Sequence, residues 1–122
     1  KQTLRQIVAY RDKPHISIFV ADQTPQYRDS DYFIPFLNQD TLVYTGAERI
    51  AKMTDAAVVF CHIDRIRRGY YQCTFTTLVE NSASVDAHGI TDIHTRFTEE
   101  IIRRKPALWL WSHRRWKRKP RT

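Results

Sequence analysis

A histidine and a carboxylate five positions apart are the first residues in this sequence whose spacing could support chemistry. His94 and Glu99 form a His-x4-Glu pattern, in which a histidine can take a proton from a hydroxyl group and a carboxylate can orient the imidazole. The residues around them predict a helix, and helical positions five apart are rotated by about 140°. Because a catalytic pair needs hydrogen-bond reach, we predict that both are ordinary residues on a helix surface.

Asp22 and Gln23 are the second candidates, because they follow the apolar, β-branched run 15–21. Such a run is typical of a strand buried on both faces. Ligands of open α/β sheets bind beside the carboxyl ends of the strands, which would place Asp22 and Gln23 in a cleft. A turn in which Asp22 hydrogen-bonds its own backbone explains the residue equally well.

A third candidate site lies at the start of a helix predicted from residue 46. The free N–H groups of a helix start attract anions, and Gly46, Glu48 and Arg49 lie there. Thr45 and Glu48 also have the spacing of a capping box, in which each side chain bonds to the backbone of the other. For Glu48 the capping role is the simpler interpretation.

The segment 106–120 carries all three tryptophans of the chain. From Arg103 to Thr122 there are nine Lys or Arg residues and no acidic residue. The rest of the chain has eleven Lys or Arg residues and thirteen acidic residues. The net charge of +7 is therefore the sum of +9 at this end and −2 in the remaining residues. Indole rings beside Arg and Lys suit anionic lipid at a membrane surface. They also suit nucleic acid, through stacking and phosphate neutralisation. A packed pair of tryptophans with a solvated basic tail is a third interpretation.

Two smaller groups carry weaker signals. Cys61 and Cys73 fall in apolar strand patterns, which predicts buried free thiols, and with His62 they lack the paired spacing of a metal site. The turn 65–68 contains three arginines and is either solvated or able to bind phosphate.

The length of the chain and the periodicity of its apolar residues predict the domain and the helices and strands that position these residues. A chain of 122 residues, 42% of them hydrophobic, predicts one globular domain, 1–122, and no apolar run is long enough to span a bilayer. We predict helices over 1–12, from 46 and over 90–105, strands over 15–21, 56–63 and 71–79, an irregular loop over 22–44 and a basic tail over 106–122. Strand, helix, strand predicts a parallel pair, with the third strand antiparallel to the second. The fold class is therefore α/β, with a partial mixed sheet and flanking helices.

The first residues read as the inside of a helix and the chain lacks a starting Met, so we expect a fragment of a longer protein.

Six short motifs follow one another along the chain, at 22–25, 33–36, 45–51, 58–59, 68–71 and 106–117. Together they resemble the C-terminal part of the bacterial lipid A biosynthesis (lauroyl/myristoyl) acyltransferases, within the lysophospholipid acyltransferase superfamily. The most specific motif is Pro-Ala-Leu-Trp-Leu-Trp-Ser-His-Arg-Arg-Trp-Lys at 106–117. The resemblance implies the C-terminal portion of a glycerolipid-acyltransferase-like fold.

The resemblance also implies an enzyme at the cytoplasmic face of the bacterial inner membrane. Such an enzyme moves a fatty acyl group from an acyl-carrier-protein or coenzyme A thioester to a hydroxyl of a lipid A precursor, with no resident cofactor. The family's His-x4-Asp/Glu motif precedes the Asp-Gln region, so we expect it upstream of Lys1 and expect the chain alone to be soluble and inactive.

Nine residues receive substrate-binding roles from the resemblance, and no catalytic residue does. Asp22 and Gln23 would line the cleft. A second set would lie near the polar head of the lipid: Gly46, Glu48 and Arg49. A third set would meet phosphate or the anionic membrane surface: His113, Arg114, Arg115 and Lys117. Acyl carrier protein is a further partner that the resemblance allows.

Two other functions stay open, together with one mode of assembly. An acyltransferase with another lipid acceptor fits the same motifs. A nucleic-acid-binding module fits the charge but is less expected, because the charge is confined to one end. The chain could also dimerise through exposed apolar faces.

Overall fold

Three helices and four strands follow one another in residues 2–121, which are the residues that the computed structural model describes. The order is α1 (Gln2–Ala9), β1 (Phe33–Phe36), β2 (Gln39–Leu42), α2 (Gly46–Thr54), β3 (Val58–Arg67), β4 (Tyr70–Val79) and α3 (Gly89–Arg104). Short 3₁₀ turns occupy Ser82–Ser84 and Pro106–Leu108. The α/β class and the helices predicted near 1–12, 46 and 90–105 are confirmed.

The first hairpin forms inside the stretch 22–44, which we predicted to be irregular. β1 and β2 pair antiparallel with Phe36 opposite Gln39, and Leu37 and Asn38 between them have φ angles of 50° and 62°. Two positive φ angles are typical of the tight turn that suits the twist of a hairpin. Little in the sequence indicates this hairpin, because each strand has four residues and leucine is unusual in such a turn. This hairpin and the residue after it supply much of the core: Ile34, Phe36, Leu42 and Val43.

The helices α2 and α3 complete the core beside this hairpin. Ala51, Ile90 and Ile102 are buried between them and their neighbours. The predicted capping box is wrong, because the side chain of Thr45 makes no capping bond. Glu48 bonds to the first turn of α3 instead, where the N–H groups of a helix start have no partner within their own helix.

The second hairpin confirms two predicted strands and their antiparallel pairing. Arg67 pairs with Tyr70, and Gly69 closes the turn with a φ of 80°, a conformation that favours glycine. One face packs on α3, where the rings of Phe60 and Phe97 lie 4.8 Å apart. The other face is open. The prediction of buried thiols is therefore wrong: the two free cysteines, Cys61 and Cys73, are both exposed.

The first predicted strand and the mixed sheet are corrections. Residues 15–21 form no strand, and Ile16 and Ile18 are 92% and 87% exposed. Within residues 2–121 the strands form two separate two-stranded antiparallel sheets with no parallel pair. A β-branched run permits a strand, but a ladder also needs a partner edge, and here each hairpin pairs with itself.

Candidate functional site

The tail folds back on the loop that follows residue 21, and this contact builds the candidate site. The backbone N–H of Thr24 donates to Nε2 of His113 at 3.1 Å. The Thr24 hydroxyl donates to the carbonyl of Arg115 at 2.6 Å. The loop therefore meets the tail through Thr24, the residue next to Asp22 and Gln23.

Arg115 lies at the centre of this contact and is 5% exposed. Its Nη1 donates to the carbonyl of Leu42 at 2.7 Å, and its guanidinium lies 5.9 Å from the ring centre of Phe36. Burial lowers the pKa of Arg115 to about 10, while the negative charge of Asp22 acts to raise it. The guanidinium is thus charged at neutral pH and is held inside the fold.

Tryptophan side chains fix the tail on both sides of Arg115. Trp116 donates from Nε1 to the hydroxyl of Thr41 at 2.8 Å, and Thr41 is fully buried on β2. Trp109 packs obliquely on Phe36, with ring centres 6.1 Å apart. The segment after α3 is therefore part of the folded body, not a free basic tail.

A small cavity lies behind Arg115 and joins Asp22 to α3. It holds about 10 Å³, close to the room that one water needs, and Asp22, His94, Thr95, Thr98 and Arg115 are among its lining residues. Oδ1 of Asp22 is buried there without a hydrogen-bond partner from the protein.

His94 faces this cavity and is not an ordinary surface residue. Burial lowers its pKa below the ordinary value of 6.5, and the charges of Glu48 and Asp92 oppose that effect. Glu99 points elsewhere, because it accepts from the backbone N–H of Leu37 and from Arg103. The sequence correctly indicated that His94 and Glu99 share no face, but it wrongly placed both on an exposed surface.

The residues of α2 form a second group. Oε2 of Glu48, 6% exposed, accepts from the backbone N–H of Thr91 at 3.1 Å and from the Thr91 hydroxyl. Gly46 is also buried, and a Cβ there would clash with the side chain of Tyr44. Arg49 is exposed. Glu48 and Gly46 therefore serve packing in this structure, and only Arg49 reaches solvent.

The predicted site residues thus divide into two sets that no hydrogen bond joins within residues 2–121. His94 is the link, because it lines the cavity with Asp22 and Arg115 and also experiences the charge of Glu48. The exposed members are Gln23, Arg49, Arg114 and Lys117.

Sequence reasoning missed two further features of this region. Thr24 connects the loop to the tail, and its only signal was its place directly after Asp22 and Gln23. Tyr32 donates its hydroxyl to Asp92 at 2.8 Å and stacks on His88, with ring centres 3.8 Å apart. No spacing in the sequence predicts this pair, because the partners lie on distant segments.

A larger groove opens at the end of the tail. It holds about 340 Å³ and is lined by Tyr27, Asp31, Phe33, Pro120 and Arg121. Arg118 and Arg121 approach the ring of Tyr27 to 4.6 and 4.7 Å, and the Tyr27 hydroxyl donates to the carbonyl of Lys119. The volume is within the range of small-ligand sites. The groove combines an aromatic wall with one positive and one negative side chain, Arg121 and Asp31.

Metal-binding clusters and membrane-spanning helices are both absent from residues 2–121. No group of three or more His, Cys, Asp or Glu side chains there could hold a metal ion. No helix in that range is both long and apolar enough to cross a membrane.

Comparison with known proteins identifies a family. The model of the family described as bacterial lipid A biosynthesis acyltransferase matches residues 1–118. No curated protein and no solved structure matches the chain.

Proposed function

Since the chain belongs to the bacterial lipid A biosynthesis acyltransferase family, we propose that it is part of an enzyme that acylates a hydroxyl group of a lipid A precursor. The acyl donor is a thioester of acyl carrier protein or of coenzyme A, and the enzyme works at the cytoplasmic face of the inner membrane. The observation that carries this proposal is the family match, which runs from residue 1 to residue 118 and so covers most of the tail. The motif-by-motif resemblance includes the same tail.

The proposed reaction replaces one acyl bond by another. The acceptor oxygen attacks the thioester carbonyl carbon, a C–O bond forms, the C–S bond breaks, and the sulfur leaves as a thiol after it receives a proton. The acceptor hydroxyl must lose its proton to a base, for which a histidine held by a carboxylate is suited. Within residues 2–121 no histidine nitrogen lies within 4.0 Å of a carboxylate oxygen. We therefore assign the base to another part of the enzyme and binding to this chain.

Volume decides where an acceptor could bind. The cavity behind Arg115 takes one water at most, so no sugar or phosphate group of a lipid enters it. The exposed side chains of Arg114 and Lys117 carry the charge for a phosphorylated head group. The groove beside Arg121 has the room for one. Arg115 then has a positioning role, because it fixes the tail on which the exposed cations stand.

The experiment is an acyl-transfer assay on the full-length enzyme, with the acceptor concentration varied. Arg114→Ala and Lys117→Ala should each raise the KM for the acceptor by roughly five- to tenfold with little change in kcat, as expected for lost ground-state binding of a phosphate. Arg5→Ala, an exposed arginine on α1, is the control of equal charge. Unchanged KM values in both variants would remove these residues from the acceptor site. Absence of transfer to any lipid A precursor by the full-length enzyme would refute the proposed reaction.

A further inference from the structure

The groove at the end of the tail holds two opposite charges that do not pair with each other. It encloses about 340 Å³, and its lining residues are Tyr27, Asp31, Phe33, Pro120 and Arg121. Asp31 and Arg121 are both exposed to solvent. Within residues 2–121 no nitrogen of a Lys, Arg or His side chain lies within 4.0 Å of a carboxylate oxygen of Asp31. The groove therefore presents an acid and a cation to a ligand that enters the space between them.

The ring of Tyr27 orients the cation of the groove. The guanidinium of Arg121 lies 4.7 Å from the centre of this ring, and the guanidinium of Arg118 approaches the same ring to 4.6 Å. The Tyr27 hydroxyl donates to the carbonyl of Lys119 at 2.8 Å, which fixes the ring against the tail. A guanidinium that stacks on a ring keeps the N–H groups of its edge available as donors. Forked donors of this kind match the oxygens of a phosphate group, so Arg121 supplies the wall that binds an anion.

Asp31 gives the groove a preference that Arg121 alone would lack. It lies two residues before the start of β1 at Phe33. A ligand with only negative charge is attracted by Arg121 and repelled by Asp31, whereas a ligand that also carries an ammonium group is attracted by both. The apolar surfaces of Tyr27, Phe33 and Pro120 suit a short carbon chain between the two charges. The groove therefore matches a zwitterion with phosphate at one end and ammonium at the other.

We propose that the groove at the end of the tail binds an aminoalkyl phosphate, with the phosphate on Arg121 and the ammonium on Asp31. The inference rests on the proposed function, because it names the class of head group that this part of the acceptor site admits. It adds a specificity-determining residue, since Arg114 and Lys117 bind phosphate whether or not an amine accompanies it, and Asp31 distinguishes the two cases.

The charges of the groove disfavour two other occupants. A divalent cation needs several oxygen ligands, but Asp31 is the one carboxylate among the lining residues and Arg121 repels a cation. A nucleic-acid backbone offers phosphate without an amine, so Asp31 opposes its binding.

The test is a titration of the chain with phosphoethanolamine and with ethyl phosphate, followed by the backbone amide NMR signals of Tyr27 and Asp31. Both probes have the phosphate, and only phosphoethanolamine has the ammonium group. Nonspecific attraction to a chain of net charge +7 favours ethyl phosphate, which is the more negative probe. The opposite order therefore reports the groove. Phosphoethanolamine should bind about fivefold more tightly, the factor that one ion pair at a partly exposed site contributes.

Three variants assign this preference to its residues. Asp31→Asn should abolish the fivefold preference without weakening the binding of ethyl phosphate. Arg121→Gln should weaken the binding of both probes by about the same factor. Asp29→Asn is the matched control and should keep the preference, because Asp29 is an exposed acid of the same loop that does not line the groove. Thermal unfolding of each variant checks the fold.

Equal or weaker binding of phosphoethanolamine by the unsubstituted chain, or a preference that survives Asp31→Asn, would overturn the proposal. Dihexanoyl phosphatidylethanolamine below its micelle concentration identifies the source of the ligand: tighter binding than that of phosphoethanolamine assigns the groove to a lipid head group, and weaker binding assigns it to a free aminoalkyl phosphate. An Asp31-dependent preference in the absence of acyl transfer by the full-length enzyme would refute the proposed function and leave the groove assignment standing. Acyl transfer without that preference would do the reverse.

Discussion

Replacing Glu48 by Ala is expected to destabilise the fold by about 3–5 kcal/mol. Oε2 of Glu48 accepts two bonds from Thr91, and these serve a helix start that has no side-chain cap of its own, since the N-cap residue His88 makes none. Each hydrogen bond to a charged group contributes about 1.5–3 kcal/mol, and the substitution leaves buried donors without partners. With Glu48 6% exposed, water cannot replace them without opening the core.

A double-mutant cycle measures this contact. Thr91→Val removes the hydroxyl and keeps the backbone donor, so it should cost about 1.5–2 kcal/mol, and with Glu48→Ala the pair should show a coupling energy of about 1–2 kcal/mol. Glu48→Ala should lower the Tm by roughly 12–20 °C, taking about 4 °C per kcal/mol for a domain of this size. Glu100→Ala, an exposed acid on α3, is the matched control and should change the Tm by no more than about 2 °C.

Acid titration adds a signature of the same contact. Burial acts to raise the pKa of Glu48, but the bonds from Thr91 and the charge of Lys52 outweigh it, so the pKa lies below its ordinary value of 4.5. The stability from this carboxylate is therefore present above pH 4.5 and is lost as the pH falls through the lower folded-state pKa. A Glu48→Ala variant with unchanged Tm, no coupling to Thr91 and a raised KM for lipid acceptor would refute this reasoning. It would make Glu48 a head-group ligand.

Four further outcomes follow from the contacts described. Burial lowers the pKa of His94 in the fold, so on acidification the unfolded chain binds a proton at this histidine before the folded chain does. His94→Gln should therefore reduce the loss of stability below pH 6.5. Denaturant midpoints measured above and below pH 6.5 check this expectation. Gly69→Ala should lower the free energy of unfolding by about 1–2 kcal/mol, because Gly69 has a φ of 80°. No clash adds to this cost, since an added Cβ there meets nothing within 4 Å. An unchanged Tm would contradict this expectation. Cys61 and Cys73 should both react with a thiol reagent in the native protein, because both are exposed, and a need for denaturant would contradict the open hairpin face. Arg115→Met should lower stability by about 3 kcal/mol because it leaves a buried carbonyl unpaired, whereas a raised KM at unchanged Tm would return Arg115 to the acceptor site.

Local patterns in the sequence predicted the parts of the fold that local forces determine. α3 and the second hairpin have clear 3.6-residue and two-residue periods, and both formed near the predicted bounds. The run 15–21 also has a strand pattern, yet it lies exposed, because a strand needs a partner edge that no local pattern reveals. The first hairpin was missed for the opposite reason: its strands are short, and tertiary burial of Phe36 and Leu42 favours them more than propensity does.

Within the motif at 113–118 of the candidate site, local sequence pattern and tertiary contacts again differ in what they reveal. Residues 113–118 hold four cations beside a histidine and a tryptophan, and the resemblance gave the same possible role, binding phosphate or the anionic membrane surface, to His113, Arg114, Arg115 and Lys117. The fold separates them by direction: His113 and Arg115 bond to Thr24 and Leu42 inside, while Arg114 and Lys117 face outward. The inward residues hold the segment in one conformation, and only a segment so held can present the outward charges at fixed positions. Both the inward and the outward residues of the motif therefore serve binding. Substitutions of the inward residues should lower the stability of the fold, whereas substitutions of the outward residues should weaken the affinity for the acceptor.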